Sequence, residues 1–71
     1  MNGAPAPIMV RMAHVRGARF CAGGMRTWLV HHHFDVYEFV TRGISAERFE
    51  ATGDALALRV AAIARAEVSN G

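Results

Sequence analysis

The feature that most constrains the fold is the segment from residue 21 to residue 44, CAGGMRTWLVHHHFDVYEFVTRGI. Four of its residues recur at the spacing i, i+3, i+4 and i+7, which places them on one face of a helix: Met25, Trp28, Leu29 and His32. The spacing predicts a helix over residues 22–33 that packs this stripe against a core. Trp28 and Leu29 are the expected anchors of that packing.

A second helix is predicted to follow without a linker. The carboxylate of Asp35 can accept hydrogen bonds from the free backbone N–H groups of a first helical turn, and Glu38 three residues later completes an approximate capping box. Gly43 is expected to end this helix in a left-handed conformation, because glycine has no Cβ to oppose a positive φ. The side chains expected to point into the core are those of Val36, Val40 and the anchor Phe39.

The remaining helices are predicted to be shorter or to lie nearer the chain ends. Residues 13–20 have the pattern of a short helix, and residues 45–49 that of a single helical turn. Thr52 is expected to cap a last helix over residues 53–67, because its hydroxyl can accept from the first free N–H groups. Leu56 is the expected anchor of that helix.

These patterns predict an all-α fold, a compact bundle of four to five short helices with a short extended N-terminal segment. Apolar residues alternate over positions 8–12, which indicates an edge strand or an extended lead-in. Residues 1–7 are expected to form a flexible arm, and residues 8–68 a single helical domain. A chain this short buries only about 60% of the surface that its unfolded form exposes, so a partner or assembly into a homo-oligomer is expected to add stability.

The composition argues against a membrane-spanning protein. Hydrophobic residues make up 52% of the chain and charged residues 20%, and no apolar run approaches the roughly 20 residues that a spanning helix needs. The opening, MNGAPAPIMV, lacks the charged start and the long apolar stretch of a signal peptide, so the protein is expected to stay in the cell that makes it. The single cysteine, Cys21, is expected to be buried.

No set of residues has the pattern of an active site, so we expect no enzymatic activity, no metal and no cofactor. Adjacent residues on a helix project about 100° apart, which prevents His31, His32 and His33 from binding one ion together. A mixed site from His14, Cys21 and His32 would need one particular fold of the intervening turn. The simpler expectation is a half-buried, hydrogen-bonded His32 with solvated neighbours.

Charge is distributed unevenly along the chain. Residues 1–34 hold four arginines and no acid, whereas residues 35–71 hold four arginines and six acids, so charges of +4 and −2 give the net +2. Within the basic half, residues 13–33 have the proportions of a helix-turn-helix, whose second helix enters the major groove of DNA. Arginines could hold the DNA backbone there, and glycines would let a phosphate approach the helix N-terminus. The candidate contact residues are Arg16, Arg19, Gly23, Gly24 and Arg26.

This layout is similar to the headpieces of MerR-type and excisionase proteins, in which a short helix, a turn and a helix rich in arginine and aromatic residues occur in that order. A longer pattern covers more than half of the chain: C-x-x-G-M-R-x-W from Cys21, H-x-x-D from His32, then Phe39, Gly43 with Ile44, and A-T-G-D-A from Ala51. It resembles a set of small uncharacterised proteins of tailed phages and prophages from GC-rich bacteria. His33 stands where that family pattern has glycine, so the turn would need an unusual backbone conformation there.

Two functions remain open at this point. The phage resemblance implies a non-enzymatic interaction protein, accessory to virion assembly or acting on a host factor, in the cytoplasm of the bacterial host or within the virion. The helix-turn-helix pattern implies instead a DNA-binding regulator or excision factor. The interaction protein is the leading expectation, because the chain is small, has no catalytic set of residues and resembles the phage proteins. A net charge of +2 is also modest for a nucleic-acid binder. The expected partner is therefore a phage or host protein, with duplex DNA as the alternative.

Overall fold

Over the described residues the protein forms five helices and two short strands. The computed structural model describes the backbone of residues 6–70 and the side chains of residues 6–69. The two strands pair antiparallel, with Met9 opposite Ser45 and Val10 opposite Ile44. In chain order the elements are β1 (Met9–Val10), α1 (Met12–Gly17), α2 (Ala22–His31), α3 (Val36–Arg42), β2 (Ile44–Ser45), α4 (Ala46–Glu50) and α5 (Ala55–Asn70).

The fold is mostly helical, as expected, but the two-stranded sheet corrects the prediction of a purely all-α protein. The extended segment predicted over residues 8–12 contains β1, and its partner β2 follows directly after α3. Gly43 permits this return, because it has a φ of 80° and a Cβ at this position would lie 2.7 Å from the carbonyl oxygen of Val10. The predicted end of α3 at Gly43 is confirmed, and the close approach to β1 is a second reason for glycine there.

The core lies where α5 packs against α1 and α4. Three small residues of α5, Ala57, Ala61 and Ala64, are buried, which allows the neighbouring helices to approach closely. Every helix and both strands contribute at least one buried side chain to this cluster. The largest fully buried side chains are those of Val10, Val15, Met25, Leu29, Phe39, Ile44, Phe49 and Val60.

Two of the predicted anchors of α2 and α3, Leu29 and Phe39, are buried in the core. Leu29 is completely buried and Phe39 is 1% exposed, whereas Trp28 and Leu56 are half-buried at the edge of the core. The prediction that Val40 points into the core is wrong, since this side chain is 57% exposed. Adjacent residues are turned about 100° around a helix, so α3 buries the side that carries Phe39 and leaves Val40 in solvent.

One hydrogen bond joins α2 to the start of α5. Nε1 of Trp28 donates to Oδ2 of Asp54 at 3.0 Å, and the same oxygen accepts from the backbone N–H groups of Leu56 at 2.9 Å and Ala57 at 3.3 Å. The indole also packs against the ring of Phe49, with the ring centroids 5.3 Å apart. Trp28 therefore fixes α2 on the core and binds the carboxylate that caps α5.

Because Asp54 caps α5, the prediction that Thr52 does so is wrong. Oγ1 of Thr52 accepts from the backbone N–H of Asp54 at 3.1 Å and donates to the carbonyl oxygen of Phe49 at 2.8 Å, so it closes the turn before the helix. Gly53 has a φ of 70°, which lies outside the helical range. The helix therefore begins at Ala55, two residues later than predicted.

The predicted arm over residues 1–7 falls largely outside the described residues, which begin at Ala6, and it stays a prediction. The expectation that residues 8–68 form a single domain also stays a prediction. None of the helices within residues 6–70 has the length and apolar character needed to cross a membrane.

The capping carboxylate makes stability depend on pH. Burial acts to raise the pKa of Asp54, but hydrogen bonds from Ala57, Trp28 and Leu56 outweigh it, and the folded pKa lies below the ordinary value of 3.8. A depressed folded pKa means that the carboxylate contributes stability above the unfolded pKa and loses that contribution as the pH falls through the folded one. We therefore expect Asp54→Asn to lower the free energy of unfolding at neutral pH, because a neutral amide oxygen accepts these hydrogen bonds more weakly than a carboxylate does.

The measurement is urea unfolding of the wild type and Asp54→Asn at neutral pH and at a pH well below 3.8. The difference between the two proteins should shrink at the acidic pH. Comparing the two proteins cancels the acid dependence of other carboxylates, which both share. An equal difference at both pH values would contradict the assigned role of the Asp54 charge.

Candidate nucleic-acid interface

The candidate interface is the surface formed by α1, the turn that follows it and α2. The helix α1 ends three residues before its predicted end and is closed by a Schellman motif. In this motif the N–H of Phe20 donates to the carbonyl oxygen of Val15 at 3.2 Å, and the N–H of Arg19 donates to that of Arg16 at 2.9 Å. Phe20 then packs against the core, which fixes the path of the chain into α2.

Arg19 occupies the position of this motif that glycine usually fills. Its φ is 62°, a left-handed conformation that costs a residue with a side chain about 1–2 kcal/mol. The side chain is exposed, and no hydrogen bond or salt bridge of its guanidinium occurs within residues 6–69. Strained residues of this kind cluster at functional sites, which makes Arg19 a candidate for partner contact.

The end of α2 repeats this geometry with a histidine. The N–H of Phe34 donates to the carbonyl oxygen of Leu29 at 2.8 Å, and the N–H of His33 donates to that of Val30 at 3.1 Å. His33 has a φ of 64°, so the expected unusual backbone at this position is confirmed. The helix α2 consequently ends at His31, two residues before its predicted end.

The helix α2 turns opposite faces to the core and to solvent. Met25 and Leu29 are buried and Trp28 is half-buried, as the stripe predicts. The exposed residues of the outer face repeat at the same spacing: Gly23, Arg26, Thr27 and Val30. A shallow hollow at the C-terminal part of this face is lined by Arg26, Thr27, Val30 and His31.

The N-terminus of α2 differs from the prediction at Cys21. This residue is exposed, so the prediction of a buried thiol is wrong. Its Sγ accepts from the N–H of Gly24 at 3.2 Å as the N-cap of α2, and Phe20 packs against the core in its place. A Cβ on Gly24 would lie 3.0 Å from the Phe20 ring, whereas one on Gly23 would meet no atom within 4 Å. Gly24 therefore lies in a packed position, whereas the space beside Gly23 is open.

The three arginines predicted to contact DNA all lie in solvent on this surface. Arg16, Arg19 and Arg26 are exposed, and no salt bridge within residues 6–69 involves any of them. Sequence reasoning missed Arg59, whose Nη2 donates to the carbonyl oxygen of Ala18 at 2.9 Å. These two residues are 41 positions apart, and no local sequence pattern predicts such a contact.

Five of the six acidic side chains bind groups other than the arginines of this surface. Glu38 pairs with Arg48 at 2.9 Å, and Glu50 binds Nε and Nη2 of Arg65 at 2.7 and 2.8 Å. The hydrogen bonds from Arg65 hold the pKa of Glu50 below its ordinary value. Three further acids have polar partners of their own, namely Asp35 at the start of α3, Asp54 at the start of α5 and Glu67 beside His14. Glu47 has no hydrogen bond or ion pair of its carboxylate within residues 6–69, and none of these acids forms an ion pair with Arg16, Arg19 or Arg26.

His14 and His32 pack within the fold. His14 is 6% exposed; its Nδ1 accepts from the N–H of Arg11 at 2.9 Å, so Nε2 carries the proton and donates to Glu67 at 3.0 Å. His32 is half-buried as predicted and stacks on Trp28 with ring centroids 4.1 Å apart. Within the part of the chain that the structure describes, no three His, Cys, Asp or Glu side chains are placed to hold a metal ion.

Comparison with known proteins yields no relative of this chain: no family model, no curated protein and no solved structure matches it. The resemblances to phage proteins and to MerR-type and excisionase headpieces therefore stay predictions. The functional assignment depends on the contacts and charges of this chain alone.

The strained backbone of Arg19 has a measurable consequence. Arg19→Gly should raise the free energy of unfolding by about 0.5–1 kcal/mol, because glycine adopts a positive φ without the steric cost that a Cβ brings. His33→Gly is the matched control, since it relieves the same conformation at the other end of α2. Urea unfolding of the three proteins measures both effects. A loss of stability in Arg19→Gly alone would show that the guanidinium has a structural contact in the fold.

Proposed function

We propose that the protein is a non-enzymatic DNA-binding module in which α1, the turn and α2 act as a helix-turn-helix on duplex DNA. The observation that carries the proposal is the uncompensated charge of this surface. Arg16, Arg19 and Arg26 are exposed without an ion pair in the described residues, whereas two of the acids, Glu38 and Glu50, pair with arginines outside this surface. A surface with this charge pattern fits the phosphate backbone of nucleic acid.

The shape of α2 supports the same partner. Its ten residues give a length of about 15 Å, and the diameter of a helix with its side chains, about 10–12 Å, fits a major groove that is about 12 Å wide. Gly23 would let the helix N-terminus approach a phosphate, where the partial positive charge of the helix favours an anion. Arg26 and Thr27 face outward one turn further along and would meet base edges.

The remaining two arginines would position the protein on the DNA. Arg16 lies on α1 and Arg19 in the turn. The two residues are joined by a hydrogen bond of the Schellman motif, from the N–H of Arg19 to the carbonyl oxygen of Arg16. Contacts from such positions to phosphate fix orientation and register without reading sequence. The packing of α1 on α5 holds this end of the surface on the core. In this arrangement α2 reads the groove and the end of α1 contacts the backbone.

A second candidate function, binding to a protein partner, is favoured by the outer face of α3. Tyr37 is 74% exposed and Val40 57% exposed, one turn apart on a seven-residue helix whose opposite side buries Phe39. Exposed aromatic and aliphatic side chains in such proximity are typical of protein interfaces. The resemblance to phage proteins would make the partner a virion or host component, with self-association as another form of the same contact.

DNA binding can be tested by fluorescence anisotropy with a random duplex over a salt series. The wild type should bind at low salt, with a dissociation constant of about 10⁻⁴–10⁻⁶ M that is typical of non-specific contact. The magnitude of the log-log slope should be at least about 2.7, since each of the three arginine contacts contributes about 0.9. Each of three variants should reduce the magnitude of the slope by about 0.9, the share of one phosphate contact, while the fold is retained. The variants are Arg16→Gln, Arg19→Gly and Arg26→Gln.

Arg42→Gln is the matched control for that experiment. Arg42 is an exposed arginine on α3, away from the proposed surface, and no salt bridge in the described residues includes it. Its removal should leave the salt slope unchanged. Failure of the wild type to bind at low salt, or an equal effect of Arg42→Gln, would overturn the proposal.

The protein-partner candidate has a separate test. Virions purified from a host that expresses the protein should contain it by mass spectrometry if it is a virion accessory. The double variant Tyr37→Ser and Val40→Ser should be lost from the particles, whereas Leu58→Ser, which changes an exposed apolar residue of α5, should be retained. Equal retention of both variants would exclude the outer face of α3 as the contact.

A further inference from the structure

Arg59 reaches the end of α1 from a distant part of the chain. Arg59 lies near the start of α5, is exposed, and donates through Nη2 to the carbonyl oxygen of Ala18 at 2.9 Å. Ala18 is the C-cap of α1 and precedes Arg19 in the turn. The guanidinium of Arg59 is thereby held beside the segment that carries two of the proposed DNA contacts. Sequence position alone would place it in the acidic half of the chain.

We infer that Arg59 is a fourth phosphate contact of the DNA-binding surface, brought to it from α5. This inference rests on the proposed function. A guanidinium has five N–H donors in a fixed fork, and the bond to Ala18 uses one of them. The remaining donors stay available to a phosphate, and the existing bond limits the side-chain freedom that would otherwise be lost on binding.

The charges around Arg59 favour an anionic partner. The two acids of the α5 region are engaged: Asp54 accepts from Trp28 and from the first turn of α5, and Glu67 contacts His14. No salt bridge within residues 6–69 includes Arg59. Arg59 thus lies beside the turn that carries Arg19, without an ion pair of its own in the described residues.

A purely structural role for Arg59 makes a different prediction. A cation at a helix C-terminus satisfies a free carbonyl group and interacts favourably with the helix dipole. In that case the removal of Arg59 would change stability and leave DNA binding unaffected. The phosphate contact instead changes the number of counterions released on binding, which appears as the salt slope.

The experiment measures anisotropy of a labelled random duplex over a salt series with the wild type, Arg59→Gln, Arg59→Lys and Arg42→Gln. We expect Arg59→Gln to lower the magnitude of the log-log slope by about 0.9, the share of one phosphate contact, and to weaken binding several-fold at low salt. Arg59→Lys should keep the wild-type slope, because it keeps the charge. Arg42→Gln should match the wild type.

Each outcome decides the question. A wild-type slope in folded Arg59→Gln would overturn the Arg59 contact and leave the proposed function standing. Absence of DNA binding by the wild type would overturn both. If Arg59→Gln proves unstable by urea unfolding, Arg59→Lys and Arg59→Gln can be compared under conditions where both are folded, and equal slopes would then overturn the inference.

Discussion

The hydrogen bond between Trp28 and Asp54 is the interaction on which the rest of the structure depends. One carboxylate oxygen accepts from the indole of α2 and from two backbone N–H groups at the start of α5. The indole is also sandwiched among rings, with His32 on one side and Phe34 and Phe49 nearby. This contact fixes which face of α2 meets the core. The opposite face, which carries Arg26, is consequently the one presented to solvent.

The chain closes two helices with left-handed residues that are not glycine. Arg19 and His33 both have φ values above 60° and both precede a phenylalanine that packs against the core. Burial of that ring stabilises the turn and offsets the backbone cost of the residue before it. The two sites differ in what they place in solvent, because only Arg19 belongs to the uncompensated basic surface. That difference connects the local geometry of the turn to the proposed function.

Local sequence patterns predicted the central helices, but they could not predict contacts between residues that are distant in the sequence. The stripe from Met25 and the Asp35 cap depend on neighbours within one or two turns, so their positions followed from spacing. The two-residue strands have too few residues for an alternating pattern, and their pairing depends on the close approach at Gly43. The choice of Asp54 over Thr52 as cap was decided by the positive φ of Gly53, which composition alone does not reveal.

In the candidate site, too, the sequence predicted local features but not the contacts between distant residues. The exposure of Arg16, Arg19 and Arg26 agrees with the expected basic surface, but nothing in the sequence indicated that Arg59 would reach it from α5. Cys21 was expected in the interior because free cysteine is often buried, yet the helix N-terminus required an acceptor and Phe20 packed against the core instead. The environments of Arg59 and Cys21 are thus set by tertiary contacts, which a local sequence pattern does not show.

The central claim is that α1, the turn and α2 form the surface that meets DNA. The most direct measurement is a ¹⁵N–¹H correlation titration of the labelled protein with a short random duplex. The account predicts shifts concentrated at Arg16, Arg19, Gly23 and Arg26, with α3 signals such as those of Tyr37 and Val40 unchanged. Shifts confined to α3, or no shifts at low salt, would contradict it.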